Sequence, residues 1–177
     1  ETKTLRLPQD RVFEDTEPRL ADVDLDGDNE VIVVESSQSQ GARLAIYDEN
    51  GLVAATHYIG QRNRWLAPVG AGDMDGDGFV EIAYVDRPHL AKTLRVWRFE
   101  AGHLTQVGEL AGVTNHRIGE DFISGGLRDC DGTPEMIVMS ANWSKVIAAT
   151  FKNAQISTQE IGPYSGYQSA IDALACE

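Results

Sequence analysis

The sequence predicts an all-β fold, a β-propeller-like array of four-stranded antiparallel blades with three blades and parts of a fourth. Three segments that align without gaps predict it: ADVDLDGDNEVIVV from Ala21, GDMDGDGFVEIAYV from Gly72 and GLRDCDGTPEMIVM from Gly126. Each has a glycine, a glutamate three residues later and then an apolar strand, at a period of 51 and then 54 residues. Periods of this size are typical of propellers, because one small sheet cannot bury both of its faces alone.

Alternation of apolar and polar residues, together with turn chemistry, predicts four short strands in each period. The first period is expected to have strands at 31–35, 43–48, 52–59 and 66–71, with a hairpin turn centred on Asn50 and Gly51. The second has 81–85, 93–99, 103–110 and 122–125, with a turn at Ala101 and Gly102. The third has 135–140, 146–152, 155–161 and a last strand near 170–175, and no segment predicts an amphipathic helix.

The 177 residues fit a single domain, with repeats at roughly 10–60, 61–114 and 115–162 and a partial last strand within 163–177. Residues 4–7 resemble the final strand of a preceding unit. A propeller has to close or cover its edge strands. We therefore expect residues upstream, or an oligomer or partner, to complete the fourth blade, or the assembly to remain an open arc.

The acidity of the chain lies in three loops. The net charge is −13, and the segments 22–30, 73–81 and 127–135 hold 12 of the 28 acidic residues and one of the 15 basic ones. Nucleic acid is not expected as a partner, because phosphate binding needs a basic surface. Carboxylates packed this densely predict a bound cation.

The first two loops have carboxylates on alternate residues and a glycine at position six: Asp22-x-Asp24-x-Asp26-Gly27 and Asp73-x-Asp75-x-Asp77-Gly78. Alternation lets three carboxylates converge on one ion, and this many hard oxygen ligands suits calcium. An EF-hand is excluded, because position twelve is Val33 or Tyr84 and not glutamate. Asp and Gly also favour ordinary turns, but at least four carboxylates in nine residues, in two loops, favour calcium.

These loops resemble those of the FG-GAP or VCBS repeat family, calcium-loop β-propellers that include the integrin α-subunit head. The resemblance covers about 150 residues. It implies about two Ca²⁺ ions per chain, each held mainly by carboxylates. The implied ligands are the side chains of Asp22, Asp24, Asp26, Glu30, Asp73, Asp75, Asp77 and Glu81 and the backbone carbonyls of Asp28 and Phe79.

The third loop departs from the pattern, because Leu127 replaces its first aspartate. It retains Asp129, Asp131 and Glu135, and we expect it to bind metal weakly or not at all.

A ligand surface is expected at the opposite end of the blades, since loops on a rigid scaffold commonly carry function. The connections there gather basic and aromatic residues; the candidates for contact with an unidentified protein or carbohydrate are Arg62, Arg64, Trp65, His116 and Arg117. The same side chains are also the ones expected to form salt bridges and packing between blades.

The sequence favours an interaction module over an enzyme and predicts no catalytic residue. His116 with Glu120 or Asp121 is the only local acid/base grouping. Two alternatives stay open: a polysaccharide- or ligand-active lyase or hydrolase on a propeller scaffold, and a structural subunit of a larger assembly.

Cys130 and Cys176 are consistent with one disulfide, a redox pair or two free thiols. The chain has no apolar run long enough to span a bilayer, and its first residues have neither the basic start nor the apolar run of a signal peptide, so we expect any such peptide to have been removed or never present. Calcium modules of this kind typically work at millimolar calcium. A periplasmic or secreted location is therefore expected.

Overall fold

The computed structural model of the chain describes residues 2–176, in which fourteen β-strands and one short α-helix are found. All pairings between these strands are antiparallel, and the strands form three separate sheets. The predicted all-β, propeller-like fold is confirmed. Within residues 2–176, no helix has the length and apolar character needed to cross a membrane.

The first sheet contains β1 (Arg11–Phe13), β2 (Arg19–Ala21), β3 (Glu30–Ser37), β4 (Gly41–Asp48) and β5 (Gly51–Ala55). Both β1 and β2 pair with β3, so together they act as one interrupted first strand. The second sheet contains β6 (Leu66–Gly72), β7 (Val80–Asp86), β8 (Thr93–Glu100) and β9 (His103–Ala111), in that order.

The third sheet repeats the plan of the first. It contains β10 (Val113–Thr114), β11 (Gly126–Asp129), β12 (Pro134–Ser140), β13 (Lys145–Lys152) and β14 (Gln155–Pro163), followed by the helix α1 (Tyr167–Leu174). Here β10 and β11 both pair with β12. Each sheet is therefore four strands wide, as a propeller blade requires.

Apolar side chains on alternate strand positions join the sheets face to face. The cluster between the first two sheets includes Ile32, Val34, Leu44, Ile46, Val80, Ile82, Tyr84 and Phe99. The cluster between the second and third includes Ala83, Val85, Leu94, Val96, Met136, Val138, Ala149 and Phe151. Because consecutive sheets share a core, each loop between the first two strands of a sheet is fixed relative to its neighbours.

The first strands of the sheets lie side by side, since β6 contacts both β2 and β11. Gly70 permits this close approach. A Cβ atom at Gly70 would lie 2.9 Å from the Cβ of Leu127, closer than carbon atoms pack.

The C-terminal segment near 170–175, expected to be a strand, is helical, so the expectation that no segment forms a helix was wrong. Ala170 and Ala173, three residues apart, are buried against the third sheet with Ile137 and Met139. Two small residues at this spacing suit a helix packed closely on a sheet. The helix covers a face of the third sheet, which explains why an eight-residue helix is stable here.

Three other expectations also need correction. Residues 4–7 form no strand, so neither segment assigned to a fourth blade is a strand. The strand expected at 122–125 begins four residues later, as β11. Ser124 lies before it in an irregular segment, where its amide donates to the carbonyl of Asn115. The first hairpin turns at Glu49 and Asn50, and only Gly51 takes a positive φ, of 137°.

Candidate metal centres

The three acidic loops occupy equivalent positions in the three sheets. Residues 22–29 join β2 to β3, residues 73–79 join β6 to β7, and residues 130–133 join β11 to β12. In each case the loop connects the first strand to the second, and a glutamate stands at or next to the start of the second strand. The repeated sequence therefore puts the three loops at the same end of the blades.

In the first loop the backbone curls round the carboxylate of Asp22. That carboxylate accepts hydrogen bonds from the amides of Asp26 at 3.1 Å and Gly27 at 3.0 Å. The carboxylate of Glu30, which is buried, accepts from the amide of Val23 at 2.9 Å. Gly27 has φ of 101°, a conformation that side-chain-bearing residues rarely adopt.

The second loop repeats this arrangement. Asp73 accepts hydrogen bonds from the amides of Gly76, Asp77 and Gly78 at 2.8, 3.1 and 2.9 Å. Glu81, which has no exposed surface, accepts from the amide of Met74 at 3.0 Å. Two loops of different sequence thus share one geometry, with the first aspartate and the closing glutamate held in place by backbone amides.

Each of these loops brings three carboxylates together. One oxygen from each of Asp22, Asp24 and Glu30 lies within 4.8 Å of the other two, and the same holds for Asp73, Asp75 and Glu81. These six are among the ten residues expected to ligate metal. The third aspartates, Asp26 and Asp77, lie outside the two groups; Asp26 and Asp77 instead accept from the amides of Asp28 and Phe79.

Burial of the glutamates makes the clusters electrostatically unfavourable without a cation. Burial raises the pKa of Glu30, and the hydrogen bond from the Val23 amide lowers it in part. The nearby charges of Asp24, Asp26 and Asp22 raise the pKa further. Burial also raises the pKa of Glu81, although the Met74 amide and Arg98 oppose that shift. A bound divalent cation would offset the repulsion between the carboxylates.

A hard cation fits the donor set. All the converging atoms are carboxylate oxygens, the ligand type that calcium prefers. In the second cluster, Oδ1 of Asp75 is buried and has no hydrogen-bond partner among the described residues, and the side chain is only 10% exposed. Buried polar atoms are normally satisfied, so this oxygen is consistent with a ligand position.

Arginine 98 is the residue at this end that sequence reasoning missed. Its guanidinium contacts Glu81 Oε1 at 2.6 Å, Asp77 Oδ2 at 2.7 Å and Asp75 Oδ2 at 3.1 Å. Arg98 lies on β8, directly opposite Glu81 in the register. Because it is 17 residues away from Glu81, only the strand pairing reveals the contact.

The third loop is organised differently. Asp129 accepts from the amide of Gly132 at 2.6 Å, but Glu135 is engaged by Arg128 at 2.7 Å. No group of three ligating side chains is found here within residues 2–176. Cys130, the first residue of the loop, is bonded to Cys176 just beyond α1, which ties the loop to the C-terminal segment.

Of the residues expected to form a ligand surface, Arg64, Trp65 and His116 line two cavities that share Trp65, and Arg62 and Arg117 lie elsewhere. Arg64 and Trp65 line a cavity of about 380 Å³ with Arg11, and Trp65 and His116 line one of about 270 Å³. Arg117 stacks on the rings of Trp143 and Tyr164 at 4.3 and 5.1 Å from their centroids. Arg62 is exposed and lines neither of these two cavities.

His116 belongs to a group that includes His89, which the sequence did not connect with it. Nε2 of His89 lies 2.9 Å from Nδ1 of His116, and Nε2 of His116 lies 3.0 Å from the carbonyl oxygen of Glu120. A carbonyl only accepts, so Nε2 of His116 carries a proton and donates to the carbonyl of Glu120. Both ring nitrogens of His116 therefore have a polar partner.

Comparison with known families agrees with the geometry of the loops. Residues 22–84 match the family model described as an FG-GAP-like repeat. The match begins at the first aspartate of the first loop and extends into β7, so it includes both loops with converging carboxylates. No curated protein matches the chain.

Proposed function

We propose that this protein is a calcium-stabilised, propeller-like interaction module that works outside the cytoplasm. The observation that carries the proposal is the pair of matching clusters, Asp22 with Asp24 and Glu30, and Asp73 with Asp75 and Glu81. The FG-GAP-like match over 22–84 supports a module of this kind. The role of calcium is structural, because both loops join the first two strands of a blade and would be held in shape by the ion.

Calcium would act by binding the folded loops and not the unfolded chain. Such binding stabilises a protein by about 2.7 kcal/mol when the free ion is at 100 times its dissociation constant. Extracellular calcium modules have dissociation constants of about 10⁻⁴ to 10⁻³ M. The disulfide between Cys130 and Cys176 also supports an oxidising compartment, the periplasm or the exterior of the cell.

Calcium titration by calorimetry tests the metal sites directly. We expect about two ions per chain, with one site lost in Asp24→Asn and another in Asp75→Asn. Asp10→Asn is the matched control, because Asp10 is an exposed carboxylate beside β1, at the end of β3 remote from the loop. The melting temperature should fall on addition of EDTA in the wild type. Absence of binding and of any melting shift would contradict the calcium proposal.

The partner surface is proposed at the cavity beside Trp65. Trp65 donates a 2.7 Å hydrogen bond from Nε1 to the carbonyl of Glu14, so its ring is held in position between the first and second sheets. Arg64, Asn63 and Ser36 add polar groups to the same cavity. An ordered aromatic ring among hydrogen-bonding side chains suits a carbohydrate or a polar peptide segment.

Fluorescence titration with a panel of soluble polysaccharides tests this surface. We expect a bound glycan to change the emission of the wild type and not of Trp65→Phe, with Trp97→Phe on β8 as the control. Binding that persists unchanged in Trp65→Phe would contradict a ligand surface at the cavity beside Trp65.

A further inference from the structure

The two loops with converging carboxylates differ in one charge. Arg98 makes ion pairs with three of the four carboxylates of the second loop: those of Asp75, Asp77 and Glu81. Within residues 2–176, no arginine or lysine comes within 4.0 Å of the five carboxylates between Asp22 and Glu30. The negative charge of the first loop therefore has no basic partner among the described residues, whereas that of the second is partly neutralised by the Arg98 guanidinium.

Strand register explains the difference. In the second sheet, Arg98 lies directly opposite Glu81. In the first sheet, Tyr47 lies opposite Val31, so the residue across from Glu30 is Asp48. The Asp48 carboxylate turns to its own hairpin and accepts from the amides of Asn50 and Gly51 at 2.6 and 2.8 Å. The first loop thus has an acidic residue at the position that is basic in the second.

The guanidinium of Arg98 engages oxygens that a metal would need. Calcium takes six to eight oxygen ligands, and Arg98 already contacts Oε1 of Glu81 and Oδ2 of Asp75. Oδ1 of Asp75 remains buried without a partner on the same side chain. Arg98 therefore leaves at least one carboxylate oxygen of the second loop without a partner, and that oxygen can still coordinate a calcium ion.

We propose that Arg98 is a counter-ion that lowers the calcium affinity of the second loop below that of the first. The same ion pairs keep the second loop folded when no calcium is bound. The proposal rests on the calcium function argued above. Two effects support it: a positive charge at ion-pair distance repels Ca²⁺, and the guanidinium occupies ligand oxygens. At low calcium the first loop fills first, and the second responds only at higher concentrations.

Calcium calorimetry with the first loop disabled isolates the second. In Asp24→Asn we expect one weak site, and in Asp24→Asn with Arg98→Gln we expect its dissociation constant to fall by about tenfold or more. Arg95→Gln is the matched control, because Arg95 lies on the same strand and pairs with Asp86 and Glu109, away from the loops. Equal affinities with and without Arg98 would overturn the inference.

A conservative variant separates charge from folding. Arg98→Lys keeps the positive charge and is expected to bind calcium within about threefold of the parent. In EDTA, Arg98→Gln should melt below the wild type, because its carboxylates have lost their cation, and millimolar calcium should restore it. If Lys and Gln tighten binding equally, or if Arg98→Gln stays unfolded in calcium, the inference is wrong.

Failure of the underlying function gives a different result. If neither the wild type nor Arg98→Gln binds calcium, the calcium function itself fails. If the wild type loses a site in Asp24→Asn but Arg98→Gln changes nothing, the function stands and only the role of Arg98 is rejected.

Discussion

The hydroxyl of Tyr47 donates a 2.6 Å hydrogen bond to the carboxylate of Glu35, a side chain with no exposed surface in the first sheet. The same carboxylate accepts from Arg43 at 2.9 Å, Arg11 at 3.2 Å and Tyr58 at 2.6 Å. Burial by itself raises the pKa of Glu35, but the hydrogen bonds from Tyr47, Tyr58 and Arg43 hold it below its usual value. Glu35 therefore stays ionised, and it raises the pKa of Tyr58 to about 12 together with burial.

Replacement of Glu35 by alanine should destabilise the fold strongly. Removing one partner of a buried ion pair leaves the others uncompensated, at a cost of about 3–5 kcal/mol. Urea denaturation of Glu35→Ala measures the loss. Glu49→Ala is the control, because Glu49 is 63% exposed and lies 3.9 Å from Lys3, so it should change stability by about 0.5 kcal/mol or less. A similar loss in both variants would contradict the buried network.

His89 should make stability depend on pH in the slightly acidic range. Burial lowers its pKa and so does Lys92, whereas His116 has a lowering electrostatic effect and a raising hydrogen bond, with a lowered pKa as the net result. A group whose folded pKa is depressed contributes stability above its unfolded pKa, about 6.5 for histidine, and that stability is lost as the pH falls through the folded pKa. The free energy of unfolding should decline below about pH 6.5, and less so in His89→Asn. The exposed His57, changed to Asn, should leave the profile unchanged.

Loss of the disulfide should loosen the C-terminal helix. The bond joins residues 46 apart, Cys130 in the third loop and Cys176 after α1. A crosslink over such a distance typically contributes about 2–4 kcal/mol. The double variant with serine at both positions should melt lower and be cleaved faster by protease near Tyr167, which is partly exposed. Unchanged melting and cleavage would show that the non-covalent contacts of α1, among them those of Ala170 and Ala173, hold it in place without the disulfide.

Gly125 should not tolerate a side chain. It has φ of 105°, and a Cβ atom there would lie 2.0 Å from the carbonyl oxygen of Ile137. Gly125→Ala should therefore cost about 3 kcal/mol or more, since strain and a backbone clash combine. Gly112→Ala is matched, because Gly112 has φ of 87° with no atom within 4 Å, and should cost about 1 kcal/mol. Thermal melts that give equal losses would argue against the clash.

Local signals in the sequence determined the repeat and most of its strands. The spacing of Gly27, Gly78 and Gly132 indicated three sheets, and the turn at Ala101 and Gly102 lies where predicted, with φ of 48° and 78°. The positions of Asp24 and Asp75 within their loops indicated that carboxylates converge. Such features depend on residues a few positions apart, because alternation and turn chemistry are properties of a short stretch of chain.

Only the tertiary structure decided the features that depend on residues far apart in the chain. Helix α1 lies on the third sheet because that sheet offers an apolar face to Ala170 and Ala173, whereas the strand predicted near 170–175 ignored this contact. Arg98 reaches the second loop because β8 pairs with β7, and Asp48 occupies the corresponding place in the first sheet. Burial, register and charge compensation come from contacts between separate strands, so two loops with the same pattern of Asp22, Asp24 and Glu30 or Asp73, Asp75 and Glu81 acquire different electrostatics.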